Sequence, residues 1–132
     1  MKIIVLGAGL VGAPMVLDLA SAGEFEVTVA DHSREALKKM EGHKHIHTRL
    51  QDLSDTGELK KLVAGFDMVL SAVPGFMGFQ TLKAVIEAGK NAIDIAFFPE
   101  DLFELDELAR QKNVIAISDI GVAPGMSNVL IG

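Results

Sequence analysis

The feature that most constrains this chain is the run Gly7-Ala8-Gly9-Leu10-Val11-Gly12, placed directly after Ile3-Ile4-Val5-Leu6. Consecutive apolar residues rich in β-branching, ended by a glycine, read as a strand buried on both faces. Leu10 to Ala22 sets Val11, Met15 and Leu19 on one apolar side, which predicts a helix, and Gly23 sits where a helix-closing glycine belongs. A G-x-G-x-x-G run between a strand and a helix has a physical reason at each glycine. Gly7 permits the sharp turn off the strand, Gly9 lacks a Cβ so that a pyrophosphate can approach the backbone, and Gly12 lets the helix pack close to the sheet. Leu10 and Val11 complete the loop. The N–H groups of the helix's first turn, at the positive end of its dipole, then hold phosphates. Pro14 removes one N–H just inside the helix, near enough to the start to be tolerated.

Phe25 to Ala30 reads as the second strand, and Asp31 follows it about twenty residues beyond Gly12. A carboxylate there accepts both hydroxyls of a ribose and repels a 2′-phosphate. The arrangement predicts a dinucleotide site for NAD, with NADP as the alternative because Ser33 and Arg34 come next and can grip a phosphate. His32 is counted with Asp31 at the adenosine end. Asp52-Leu53 follows the third strand, where the adenine edge falls; Asp52 reads equally as the cap of the next helix. Ala72, Val73 and Pro74 close the fourth strand and are expected to line the cofactor between ribose and nicotinamide. Ligands in such sheets sit beyond the carboxyl ends of the strands, near the switch between first and fourth. The competing reading makes the glycine turn a packing device and Asp31 an ordinary loop acid.

The rest of the chain alternates in the same way. Ser33–Met40, Asp55–Gly65, Gly78–Ala88 and Asp101–Gln111 read as helices, and His45–Leu50, Asp67–Ala72, Asn91–Ala96 and Val114–Ile117 as strands. Six strands separated by helices, with the dinucleotide fingerprint after the first, predict an α/β Rossmann-type fold: a doubly wound parallel sheet in the order 3-2-1-4-5-6, with helices on both faces. A length of 132 residues fits one domain, expected to run from Met1 to about Ser118. The net charge of −6 argues against nucleic acid and anionic membrane as partners. The absence of Cys excludes disulfides, thiol catalysis and Cys-based zinc sites. Met1-Lys2, the apolar run to Leu17 and Ala20-Ser21-Ala22 imitate a secretory leader, but the glycine spacing and Pro14 argue against one. No run approaches the ~20 apolar residues of a bilayer span, and a cytoplasmic location is expected.

Several groups are weighed and set aside. His43, His45 and His47 alternate, and imidazoles in a row along one strand converge poorly on an ion, so an exposed sheet-edge face is expected and no metal. Met68, Met77 and Met126 read as packing. Phe97-Phe98 reads as packing too, with a substrate-pocket wall as the alternative because the pair follows the fifth strand on the ligand side. Asp94 and Asp119 read as structural acids holding loop amides. There is no Ser-His-Asp arrangement, no Walker lysine loop and no carboxylate cluster suited to magnesium.

The tail Asp119-Ile-Gly-Val-Ala-Pro-Gly-Met-Ser-Asn-Val-Leu-Ile-Gly132 is the most distinctive stretch. Pro124-Gly125 is a turn signal, and the apolar helical pattern beginning at Met126 or Ser127 stops after about one turn, too short to hold in water alone. Residues 119–132 are therefore expected to begin a connection to an absent second domain, with residues 1–132 an N-terminal fragment. The opening KIIVLGAGLVG, Asp31 in VTVAD, the segment EAGKNAIDIA and above all DIGVAPGMSN resemble the N-terminal NAD(P)-binding domain of the saccharopine dehydrogenase superfamily. The likeness covers essentially the whole chain, with lysine 6-dehydrogenases the most similar branch.

The resemblance implies an NAD(P)-dependent oxidoreductase acting on a CH–NH or CH–NH2 group. Hydride passes between an amine-bearing carbon of an amino acid and the nicotinamide, giving an imine that water opens. It implies a substrate and dimerisation domain that this sequence lacks, hence a homo-oligomeric full-length protein and a fragment without turnover of its own. It also implies that Gly121, Val122, Ala123 and Pro124 flank the nicotinamide. No catalytic base is nameable. The other function class is a non-enzymatic NAD-binding regulatory domain, as in ligand-gated modules of channels and transporters, which needs no proline-lined nicotinamide pocket. A third is a homoserine dehydrogenase-like enzyme.

Overall fold

The structure is a computed structural model and describes residues 1–96 and 98–118. Strands and helices alternate as β1 (Lys2–Leu6), α1 (Gly12–Ser21), β2 (Glu26–Asp31), α2 (Arg34–Lys38), β3 (Ile46–Leu50) and α3 (Thr56–Val63). They continue as β4 (Met68–Ser71), α4 (Gly75–Glu87), β5 (Asn91–Asp94), a 3-10 turn (Leu102–Leu105), α5 (Asp106–Lys112) and β6 (Ala116–Ile117). The strands form one six-stranded sheet in the order β3-β2-β1-β4-β5-β6, and every pairing is parallel. This is the doubly wound architecture, in the strand order expected from the sequence.

Two cores explain why the central strand is apolar throughout. Ile4 and Leu6 of β1 pack with Val69 of β4, Leu59 and Val63 of α3, and Leu82 and Val85 of α4. Val5 packs on the other side with Val27 and Val29 of β2, Val16 and Ala20 of α1, and Leu37 of α2. Successive strand residues point to opposite faces, so a strand covered on both sides needs apolar residues at every position. Ile4, Val5 and Leu6 are each 0% exposed. Fully burying such a side chain contributes about 1.5–3 kcal/mol, which makes β1 the anchor of both layers.

Element boundaries depart from expectation in ways that bear on the site. The first helix starts at Gly12, leaving Leu10 and Val11 in the turn. The helix after β4 starts at Gly75 rather than Gly78, with Pro74 at its N-cap, where a missing N–H costs nothing. Gly78 lies inside that helix because a Cβ there would stand 2.7 Å from Phe98 Cδ1 and 3.0 Å from Ala96 Cβ. β5 ends at Asp94, whose Oδ1 accepts the Ala96 N–H at 2.9 Å and turns the chain out of the sheet. The single helix expected over 101–111 divides into the 3-10 turn and α5, and β6 keeps only two of its four expected residues. Phe97 and residues 119–132, including Gly121, Val122 and Asp119, lie outside the described residues.

Candidate cofactor site

From β1 the chain runs outward through β2 and β3, then returns to lay β4 on β1's other side. The crossovers diverge there and leave a crevice beyond the strands' carboxyl ends. A cleft of about 550 Å³ occupies that place. Its lining brings together four segments distant in sequence. Gly7, Gly9, Leu10 and Val11 come from the glycine turn, Asp31 and His32 follow β2, Asp52 and Leu53 follow β3, and Ala72, Val73 and Pro74 follow β4. Gly12 lies beneath the turn and is not part of the lining. Ser54, Phe76 and Met77 also line the cleft. The sequence reading missed Phe76 and assigned Met77 to packing because it began α4 too late; the true start puts both in the helix's first turn.

The glycines separate into two kinds. Gly7 has φ +103°, and a Cβ on it would sit 2.8 Å from the Ala72 carbonyl oxygen. A Cβ on Gly12 would stand 1.9 Å from the Gly7 carbonyl oxygen. Both glycines are demanded by the protein's own backbone. Gly9 is not: among the described residues an added Cβ would meet nothing within 4 Å, and its φ is outside the left-handed range. The space beside Gly9 is therefore free for a ligand, as a diphosphate lying against the backbone requires.

Helix ends supply the donors. Val11, at the N-cap of α1, makes no side-chain capping bond, and the first turn holds no acid. Among the described residues, the amides of Gly9, Leu10 and Val11 donate to no backbone carbonyl. Pro74 leaves α4 uncapped in the same way. Two other helices that leave the same edge of the sheet carry side-chain caps: Ser33 Oγ accepts the Ala36 N–H at 3.2 Å on α2, and Asp55 Oδ1 accepts the Glu58 N–H at 3.1 Å on α3. α5 also lacks a side-chain cap, but it runs on from the 3-10 turn. Unpaired amides at a positive dipole end form a site for an anion.

Asp31 sits across from the turn. Its Oδ2 accepts the Ala8 N–H at 2.7 Å and its Oδ1 the Ser33 N–H at 2.8 Å, with the side chain 13% exposed. His32 Nδ1 stands 3.4 Å from Asp31 Oδ1, on a side chain open to solvent. Asp52 does not cap α3, a role that falls to Asp55. Instead Asp52 Oδ1 accepts the Ser54 hydroxyl at 2.6 Å and the Ser54 N–H at 2.9 Å. Those bonds from Ser54, with the charge of nearby His32, hold the Asp52 carboxyl below its usual range.

Phe98, Asp94, His45 and His47 are not part of the cleft lining. Phe98 packs against the core and meets Phe79 edge-on, with ring centroids 5.9 Å apart, rather than lining the cleft. Asp94 is fully buried and holds the Ala96 amide, a structural acid as read. His45 precedes the edge strand β3 and His47 lies within it, at the sheet edge as expected, and both converge on Glu26, a partner the residue pattern does not reveal. Among the described residues no group of three or more His, Asp or Glu is placed to hold a metal ion, and no helix is long and apolar enough to cross a membrane.

Comparison with known proteins agrees with this geometry. Residues 3–117 match the family model described as the saccharopine dehydrogenase NADP binding domain. The chain is 28% identical over 129 residues to a saccharopine dehydrogenase (NADP+, L-glutamate-forming) of Pyricularia oryzae, covering 97% of this chain and 28% of that protein. It is 27% identical over 135 residues to the mitochondrial alpha-aminoadipic semialdehyde synthase of Bos taurus, covering 98% of this chain and 14% of that protein. The structure of apo saccharopine dehydrogenase (L-Glu forming) from Saccharomyces cerevisiae superposes with a TM-score of 0.80 at 26% identity, over 96% of this chain and 28% of that one. A Synechocystis biliverdin reductase, solved with biliverdin and NADP+, shares the fold at a TM-score of 0.69 and 16% identity, over 89% of this chain and 37% of that one. The chain thus spans well under a third of the length of these saccharopine dehydrogenases. With its parallel sheet and its uncapped glycine turn, the chain belongs to the saccharopine dehydrogenase NADP-binding domain family.

Proposed function

We propose that this chain holds a nicotinamide dinucleotide, NAD in preference to NADP, for an oxidoreductase acting at a carbon–nitrogen bond of an amino acid. The observation that carries the preference is the Asp31 carboxylate. An ionised carboxylate offers about four acceptor positions. Two are taken by the Ala8 and Ser33 amides, which fix the group at the cleft wall. The remaining two suit the two hydroxyls of a ribose. A 2′-phosphate would remove one of those donors and set its own negative charge against Asp31 in a partly buried place, where screening is weak. The family description names NADP, so this preference would set the chain apart within its family.

The chain's other residues bind and orient. The bare amides from Gly9 to Val11 neutralise a diphosphate, while Leu53, Val73 and Met77 give the cleft an apolar wall that excludes water. The dinucleotide, when bound, supplies the hydride acceptor. The relatives named above support chemistry at CH–NH, which frames the proposal on the carbon–nitrogen bond rather than on a lysine side-chain amine. Titration of the 132-residue chain with NADH and NADPH, followed by nicotinamide fluorescence, tests the reading. NADH is expected to bind about tenfold tighter or better. NADPH binding as tightly as NADH would overturn the preference, and no binding of either would overturn the site.

A further inference from the structure

The carboxylate that closes β2 reaches back to shape the loop that follows β1. Asp31 Oδ2 and the Ala8 N–H meet at 2.7 Å across 23 positions of sequence. Ala8 is the middle residue of the glycine turn, and the amide before it, Gly7 N–H, donates to the Ala30 carbonyl at 2.8 Å. Two successive amides of the turn are therefore pinned to the last two residues of β2, while the next three donate to no backbone carbonyl among the described residues. Gly7, at φ +103°, is a flexible joint that by itself leaves the Ala8 peptide free to rotate. A charge-assisted hydrogen bond at a largely buried carboxylate is strong enough to remove that freedom.

We infer that Asp31 is a positioning residue for the phosphate-binding turn as well as the acceptor for the adenosine ribose. The inference rests on the dinucleotide reading and adds to it. One carboxylate couples the two halves of the site. Removing it loosens the grip on the diphosphate, so Asp31→Ala carries a loss that NADH and NADPH share, beyond the loss of the ribose contacts of NADH and the relief of charge repulsion for NADPH.

The probe that separates the two roles is an NADH analogue whose adenosine ribose lacks both hydroxyls. A carboxylate that only binds ribose has nothing to hold there, and Asp31→Ala would leave the analogue's affinity unchanged. A brace predicts a further loss of about tenfold for the analogue, the size of one lost hydrogen bond of this kind. The ligand-free chain gives a second readout. In wild type the Ala8 amide exchanges slowly with solvent; in the variant Ala8 loses protection while Gly7, bonded to Ala30, keeps it. Asp31→Leu, with the same branching and no acceptor, carries the same tests where the alanine variant does not fold. Analogue affinity within about twofold of wild type, with Ala8 still protected, would overturn the inference and leave the dinucleotide reading standing. A wild-type chain that binds neither dinucleotide ends both.

Discussion

β2 begins and ends on a carboxylate, and each carboxylate holds two nitrogen donors. At the amino end, Glu26 Oε1 meets His45 Nδ1 at 2.8 Å and Oε2 meets His47 Nε2 at 3.0 Å. At the carboxyl end, Asp31 takes two main-chain amides. Glu26 is 51% exposed against 13% for Asp31. The imidazoles sit on rotatable side chains in water, where such pairs are worth little. The amides are fixed by the sheet and the glycine turn. The chemical group is the same at both ends; what differs is the backbone around it. Helices leave a parallel sheet from its carboxyl ends, and the uncapped first turns of α1 and α4 open beside the cleft there. A carboxylate at that end inherits a binding site, and one at the other end inherits only solvent.

The sharpest way to break this contrast is Gly12→Ala. Its Cβ would stand 1.9 Å from a backbone oxygen that cannot swing aside. The ligand-free melting temperature is expected to fall by about 10 °C or more, and a drop under about 2 °C would show that the turn yields. Gly9→Val sharpens it by separating ligand from fold. NADH affinity is expected to fall about a hundredfold, with the ligand-free melt within about 2 °C of wild type, because nothing among the described residues occupies that space. Unchanged affinity would take the diphosphate away from the turn. Glu26→Gln gives the smallest effect. Hydrogen bonds from His45 and then His47 hold the Glu26 carboxyl below its ordinary 4.5. A depressed carboxylate contributes stability above its unfolded value and loses it as pH falls through the folded one. Urea midpoints of wild type and Glu26→Gln should therefore differ slightly at pH near 6 and converge as the pH drops below 4.5. A gap that widens on acidification would reverse the assignment. NADH affinity should not change.

Much of this was legible in the sequence, for definite reasons. Continuous apolar runs such as Ile3–Leu6 mark strands covered on two sides, and the glycine spacing marks the turn, because both are local patterns. The strand order came with the dinucleotide fingerprint, because alternation and right-handed crossovers alone also allow other doubly wound orders. What stayed hidden was non-local or lay at boundaries. The residue pattern places the start of α4 at Gly78, whereas it lies at Gly75 behind a proline cap. That misreading kept Phe76 out of the expected cleft. Asp52 and Asp55 are equivalent as cap candidates by residue type, and only the chain's path selects Asp55. The partners of Glu26 lie 19 and 21 positions away, and Ala8 lies 23 from Asp31, separations that no periodicity reports.

The glycine turn is made early and finished late. Its far wall is the Ala72 carbonyl, brought in when β4 docks on β1 through the Ala72 N–H to Leu6 carbonyl bond at 2.8 Å. The Lys2 N–H to Asp67 carboxylate bond, spanning 65 positions, closes the same pairing at its other end. Such distant pairings form slowly, and a nascent chain must wait for them. On the ribosome, the residues of the phosphate loop emerge first but stand half-walled until β4 has been translated and released from the exit tunnel. Coenzyme present in the cell cannot chaperone the earliest steps of folding; it can only trap the sheet once its centre has closed.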